Sequence, residues 1–393
     1  MPVYFWGLNI TSNTIFETKD LCYRYKGSDK LALKDVNMKI NGSKRTALLG
    51  ANGAGKSTLF FSLNGVFKPE SGQVLYEGNE VSYDKEDLVR LRSEVVVVLQ
   101  NPDDQIFSTT VEEDVAFGPL SIGLSREETE NRIENALFTV GMTGYRKRSL
   151  QQLSYGQKKR VALAGALAVR PKVMIWDEPT AGLDPQMSKE VMELADQLHR
   201  NGTSMVISTH DIDLAYSWAD EIHVLREGRL VYSGESEGFY RNKEEVHLSG
   251  LTLPPMFDIN VNIAELKGVP ADPYPKITSE MLGKIEPNRE NIGSIFLISI
   301  ENDVDGMLFE KAIDKAGETA HKGVFGIRSR KYVVEKGIAV DYYYSAIEMC
   351  LTEALLGKNT VLCCDVDARI ILEDSIAHLA KFGTLVNIMD VAL

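Results

Sequence analysis

A chain of 393 residues is too long for one ordinary core and implies two or three domains. A formal net charge of −13 argues against a general nucleic-acid binder. The cysteines (Cys22, Cys350, Cys363, Cys364) are too few for a disulfide framework and point to a reducing cytosol, and no run approaches the roughly 18 apolar residues of a membrane span.

Residues 1–13 read as an N-terminal extension, apolar at first but short, with no basic leader or cleavage pattern, so no signal peptide is expected. Alternation with β-branched and aromatic residues over 14–40 predicts strand, turn, strand in a small antiparallel sheet, with Tyr25 just before the Lys26-Gly27 turn. An apolar run at 46–49 then leads into Gly50-Ala51-Asn52-Gly53-Ala54-Gly55-Lys56-Ser57-Thr58. The spacing is G-x-x-x-x-G-K-S between a strand and a helix, the P-loop. Its glycines let successive backbone N–H groups wrap a polyphosphate, and the following helix points its positive end at the same anion. Lys56 adds a point charge for the β and γ phosphates, and Ser57 offers a hydroxyl to Mg²⁺.

Residues 65–78 predict a turn-rich strand pair, and 87–92 a helix. The run 95–99 is a buried strand ending in Gln100, followed by a polar loop at 101–107. A helix starts near Val111 with Glu112, Glu113 and Asp114 in its first turns, where the dipole favours anions. Ser125 opens a further helix in the S-x-x-E manner. Residues 153–160 open an apolar and hence buried helix over 161–169. The strand 172–176 ends in Asp177-Glu178, 182–185 is a turn, 190–200 an amphipathic helix, and 204–209 a buried strand ending at His210. Strands alternating with helices, each strand closing on a polar residue, form a doubly wound α/β pattern in which ligands gather at the carboxyl ends of the strands. In that setting Asp177 has the Walker-B position for holding Mg²⁺, and Glu178 is placed to act as general base on a water.

These motifs, in this order from about Phe16 to Val246, resemble the ATP-binding-cassette (ABC) ATPases: residues 50–57, Gln100, Leu153-Ser154-Tyr155-Gly156-Gln157, Asp177-Glu178-Pro179-Thr180, Gly182-Leu183-Asp184-Pro185 and Thr209-His210-Asp211. The resemblance implies a mixed-sheet core with an antiparallel β subdomain and a helical signature subdomain. It implies ATP and Mg²⁺ as ligands: Tyr25 stacks on adenine, residues 50–58 bind the phosphates, Ser57, Gln100 and Asp177 surround Mg²⁺, and Glu178, His210 and Gln100 serve hydrolysis. It further implies that Ser154, Gly156 and Gln157 contact the nucleotide of a second ABC subunit in a homo- or heterodimer, with Asp184 at the dimer interface. Two positions depart from the family pattern: Tyr155 stands where glycine is usual, and Trp176 replaces an aliphatic residue.

The segment 100–119 resembles more narrowly the cobalt/nickel importer and energy-coupling-factor ATPases. That likeness implies a peripheral protein on the cytoplasmic face of the membrane, working with a membrane-embedded coupling subunit and a solute-binding membrane subunit, and not with nucleic acid. It implies a partner groove in which Asp103, Asp104, Glu112, Glu113 and Asp114 receive basic coupling helices, with cobalt ahead of nickel or a vitamin as the solute. The alternative is a soluble ABC ATPase acting on nucleic acid or ribosomes. Lys56 and Ser154 lie only about a hundred residues apart, too close for the coiled-coil insertion of cohesin- and repair-type members.

The expected organisation is therefore 1–13 extension, 14–246 ATPase domain, 247–288 linker and short C-terminal region, and 289–393 an extra α/β domain. In the last, strands are expected at 295–300, 339–344, 360–365 and 385–389, and helices at 307–321, 346–356 and 372–382. Residues 323–330 and 363–367 could border a ligand site there, or belong to a structural appendage.

Overall fold

The computed structural model describes residues 14–302, 307–365 and 368–391; the expected extension at 1–13 lies outside them, as does Asp367. The chain divides into two compact units, Met1–Leu253 and Pro254–Leu393.

The first unit runs β1 (Thr14–Arg24), β2 (Leu31–Asn41), β3 (Thr46–Leu49), α1 (Lys56–Leu63), β4 (Ser71–Tyr76), β5 (Asn79–Glu80), α2 (Lys85–Glu94), β6 (Val95–Val98), α3 (Val111–Ser121), α4 (Arg126–Thr139) and α5 (Tyr155–Val169). It continues with β7 (Val173–Asp177), α6 (Pro185–Arg200), β8 (Ser204–Thr209), α7 (Ile212–Trp218), β9 (Glu221–Arg226), β10 (Arg229–Gly234), α8 (Ser236–Tyr240) and α9 (Lys243–Leu248). One antiparallel sheet has the order β2-β1-β4-β5. The central sheet, β10-β9-β3-β8-β7-β6, is parallel except for its edge strand β10. Its middle strands β3, β7 and β8 are buried at every position, as a parallel sheet covered on both faces requires. Helices α3, α4 and α5 pack on one another as the helical subdomain.

Because β3, β8, β7 and β6 are parallel, the loops after all of them open at one end of the sheet. That end carries the P-loop, Asp177-Glu178, His210 and Gln100. The β9–β10 turn fixes the P-loop from the side: Gly228 N–H donates to Ala54 O at 3.0 Å, and Lys34 N–H donates to Gly228 O at 2.8 Å. At Gly50, where the loop leaves β3, an added Cβ would lie 2.4 Å from the Leu225 carbonyl oxygen, so only glycine permits that approach.

The second unit runs α10 (Pro255–Lys267), α11 (Thr278–Ile285), β11 (Ser294–Ser299), α12 (Met307–Ala316), β12 (His321–Phe325), α13 (Ile327–Glu335), α14 (Ala346–Leu355), β13 (Thr360–Cys364), α15 (Ala368–Leu379) and β14 (Asn387–Asp390). Its sheet, β12-β13-β11-β14, is parallel throughout. Alternate residues feed two cores: Ile295, Leu297, Leu362 and Cys364 on one face, and Phe296, Ile298, Val361 and Cys363 on the other. All four cysteines are buried.

Several expectations change here. The strand expected at 339–344 is absent: Tyr342 makes a single bridge to Gly323, and the ladder strand is His321–Phe325 instead. Helix α12 stops at Ala316, before Gly317, so the residues that follow are free to enter the sheet. The proline-rich stretch contains α10, with Pro255 in the first turn where a missing N–H costs nothing. Residues 254–288, expected as a linker region, fold within the second unit, where α11 packs on α14.

Gly228 supplies a direct test of how the P-loop is braced. Its φ is +81°, and an added Cβ would sit 2.5 Å from the Ala32 carbonyl oxygen. Gly228→Ala is expected to lose about 1–3 kcal/mol in denaturant unfolding and to weaken ATP binding with it. Wild-type stability with wild-type ATP affinity would show that the turn does not brace the loop.

Candidate active site

The site is assembled from strand ends. Asp177 closes β7, and Ser208 is its Cα partner across the β7–β8 ladder. The Ser208 hydroxyl, fully buried, donates to Asp177 Oδ1, while Ser57 Oγ donates to Asp177 Oδ2 at 2.6 Å. Both carboxylate oxygens are thus engaged, one toward the sheet and one toward the first turn of α1. Ser57 and Asp177 present hard oxygen donors side by side, the donor set Mg²⁺ takes in phosphoryl-transfer sites.

Glu178 follows with φ +50°, a left-handed conformation that costs a non-glycine residue of order 1–3 kcal/mol. Neighbouring groups hold it there. Glu178 N–H donates to Ser208 Oγ at 3.1 Å and lies 3.2 Å from Ser208 O. Its carbonyl oxygen accepts from Lys159 Nζ at 3.2 Å. The side chain, 7% exposed, lies between two cationic or protonatable groups: Oε1 is 3.8 Å from Lys56 Nζ, and Oε2 is 2.8 Å from His210 Nδ1. The His210 ring is itself largely exposed. Lys56 also donates to Gly50 O at 2.7 Å.

Tyr25 flanks the P-loop helix. Its hydroxyl lies 2.8 Å from Thr58 Oγ1, and its ring meets Tyr23 and Phe67 edge-on while remaining half exposed. Gln100 does not join the cluster. It is exposed just past β6, and among the described residues its one hydrogen bond is from the Tyr155 hydroxyl to its carbonyl oxygen at 3.3 Å. Gln105 is the glutamine that turns inward, accepting from Leu99 N–H at 2.9 Å and donating to Ala162 O at 3.2 Å.

Ser154 and Gln157 cap α5 reciprocally: Gln157 N–H donates to Ser154 Oγ at 3.3 Å, and Ser154 N–H donates to Gln157 Oε1 at 3.0 Å. Tyr155, the departure from the family pattern, packs its ring against Gly182 and so bridges the loops after β6 and β7. Asp184 caps α6, accepting from Met187 N–H at 2.8 Å.

The carboxylates of the expected partner groove each have a partner within the segment or nearby, while Asp103, Asp104 and Glu113 remain exposed and Asp114 is buried. Asp103 pairs with Lys158 at 2.6 Å, and Asp104 accepts from Asn101 Nδ2 at 3.2 Å. Glu112 pairs with Lys147 and, at 2.9 Å, with Arg146; hydrogen bonds from both hold its carboxyl below the usual range. Glu113 accepts from Thr110 N–H at 3.0 Å, and Asp114 is buried, accepting from Phe107 N–H at 2.9 Å. Beside its exposed Asp103, Asp104 and Glu113 the segment also exposes apolar rings: Phe107 and Phe117 meet edge-to-face at 4.7 Å and are 66% and 52% exposed, with Leu120 beside them in sequence on α3.

Two contributors were missed in the sequence. Ser208 sits in an apolar strand, and only ladder register puts it beside Asp177. Lys159 lies one turn into α5, and burial pushes its amine down to about 8. In the second unit, the stretches named as a candidate border meet: Asp365 accepts from Ser329 N–H at 2.7 Å and caps α13. Among the described residues no cluster of His, Cys, Asp or Glu could hold a metal ion, and no helix is long and apolar enough to cross a membrane.

Comparison with known proteins agrees with this geometry. Residues 33–181 match the ABC transporter family. The energy-coupling factor transporter ATP-binding protein EcfA of Methanocaldococcus jannaschii is 47% identical over 240 residues, covering 61% of this chain and 86% of that protein. EcfA2 of Methanospirillum hungatei is 36% identical over 361 residues, covering 88% of this chain and 89% of that protein, so the match reaches into the second unit. Among solved structures, CbiO1 of Clostridium perfringens, part of the ABC transporter complex CbiONQ, is 37% identical with a TM-score of 0.55, covering 66% of this chain and all of that one.

Ser208 offers a test of the site's internal bracing. Ser208→Ala leaves Asp177 Oδ1 without its partner and removes one of the two acceptors of the Glu178 N–H, and is expected to cost about 1–3 kcal/mol in denaturant unfolding, with a fall in ATP turnover. Unchanged stability and turnover would mean that the hydroxyl does not position the two carboxylates.

Proposed function

The chain belongs to the ABC transporter family and, within it, to the energy-coupling-factor ATP-binding proteins, and from that premise we propose that it binds and hydrolyses ATP to energise solute import through a membrane partner. The observation that carries the proposal is the buried Glu178 carboxylate at the mouth of the P-loop, between Lys56 and His210. A carboxylate there can take a proton from a water aimed at the γ-phosphate, and His210 can orient the same water. Lys56 and the backbone N–H groups of residues 50–58 neutralise the phosphates, while the half-exposed ring of Tyr25 offers a face to adenine. Ser57 and Asp177 would hold Mg²⁺, which when bound neutralises charge on the phosphates.

ATP then serves as the shared ligand of two cassettes. Ser154, Gly156 and Gln157, at the N-terminus of α5, meet the γ-phosphate bound by a second subunit, with Asp184 near the contact. Nucleotide binds the closed pair better than the open one and shifts the population toward it, and hydrolysis releases it. The protein works peripherally, on the cytoplasmic face, with a membrane-embedded coupling subunit and a solute-binding one. Cobalt is the first candidate solute, from the resemblance of segment 100–119 to the cobalt/nickel importer ATPases; another transition metal or a vitamin uses the same machinery.

The docking groove for the coupling subunit is centred on Phe107 and Phe117, with the exposed carboxylates Asp103, Asp104 and Glu113 close in sequence, and Gln100 acts as its sensor. The internal ion pairs of Asp103 and Glu112 shape the rim.

Glu178→Gln is expected to bind ATP with near wild-type affinity while phosphate release falls by about 10²-fold or more; near-normal release would remove Glu178 as the base. Phe107→Asp, at an exposed position, is expected to abolish co-purification with the membrane subunit and to leave the affinity for ATP unchanged. Retained co-purification would count against the apolar groove.

A further inference from the structure

Helix α5 carries more than the residues at its N-terminus. One turn in, Lys159 is 6% exposed, and its amine donates to Glu178 O at 3.2 Å and Ala181 O at 2.9 Å. The walls around it are mostly apolar, including Val98, Leu99, Leu163, Trp176, Leu183 and Val191, with Asp177 and Arg160 the charged members, and the bond to Glu178 O is buried. Bonds in such surroundings are electrostatically stronger than in solvent. The adjacent Arg160 grips Glu190 of α6 in a bidentate pair at 2.5 and 2.7 Å. The start of α5 is therefore fastened to the segment joining β7 to α6, at Glu178 and Ala181, and to α6 itself at Glu190.

That segment begins at Glu178, whose left-handed backbone needs support. Ser208 supports it from the N–H side and Lys159 from the carbonyl side. Ala181 O, the second acceptor, fixes the turn that follows, so the peptide planes on either side of the glutamate side chain are set by groups outside the loop.

We propose that Lys159 is a positioning residue for ATP hydrolysis, holding Glu178 in its reactive backbone conformation and linking it to the signature end of the same helix. The inference rests on Glu178 as base and on Ser154 meeting the second subunit's nucleotide. Its consequence is a short mechanical connection: whatever displaces the Ser154 end of α5 when the subunits close also moves the carbonyl that sets Glu178. Each chain then reports closure at one nucleotide site to the base of the other.

The test compares Lys159→Met, which keeps the stem and removes the donors, with Lys159→Gln, which keeps a donor. ATP affinity and phosphate release are measured on the full chain, with Glu178→Gln in parallel. Lys159→Met is expected to lower kcat by about 10- to 100-fold, the scale of a misplaced catalytic group, with ATP affinity within about twofold of wild type. Lys159→Gln is expected to recover part of the loss. A Lys159→Met kcat within about twofold of wild type, or affinity and kcat falling together in both variants, overturns the proposal. Slow Glu178→Gln beside an unaffected Lys159→Met discards Lys159 alone; normal turnover in Glu178→Gln discards the base assignment itself.

Discussion

The parallel register of β3, β8 and β7 is the constraint on which the site depends. It sets Leu49 opposite Thr209 and Asp177 opposite Ser208, so the P-loop, His210 and the two carboxylates leave the sheet at adjacent levels. A slip of one residue would turn Asp177 to the other face and break both of its hydrogen bonds. The strands are held in place by burial: every residue of the three is buried, and each large apolar side chain contributes about 1.5–3 kcal/mol to that packing. The chemistry at the rim is thus held by the packing beneath it.

Around that frame the helices act as braces. α1 brings Ser57 to Asp177, and α5 brings Lys159 to the Glu178 carbonyl. The left-handed backbone at Glu178 is tolerated because partners on both sides fix it, a local cost of the kind that collects at reacting centres. The start of α5 is thus tied to the Glu178 loop through Lys159, and Tyr155 extends the same contact to the loop after β6.

Much of this was legible in the sequence because the informative residues are local. The P-loop is read from consecutive residues, and Asp177, Glu178 and His210 each follow an apolar strand. Ser208 was hidden because a serine in a buried strand carries no motif; only its cross-strand neighbour gives it a role. Lys159 was hidden because a lysine near a helix start reads as solvated. The pairing within the 103–114 segment was hidden for a related reason: charge can be counted in a sequence, but the pairing of Asp103 with Lys158 and of Glu112 with Arg146 cannot. In the second unit, β12 was missed because His321, Lys322 and Gly323 give half the strand no apolar alternation, while the tyrosines at 342–344 imitate one.

The central claim is that the P-loop is half of a site completed by another cassette. The rate of ATP hydrolysis by the purified chain, measured against its own concentration, tests this most directly. The account predicts a specific activity that rises with protein concentration at the dilute end, as two chains must meet for each site to close. A specific activity that stays constant down to dilutions at which the chain sediments as a monomer would contradict it.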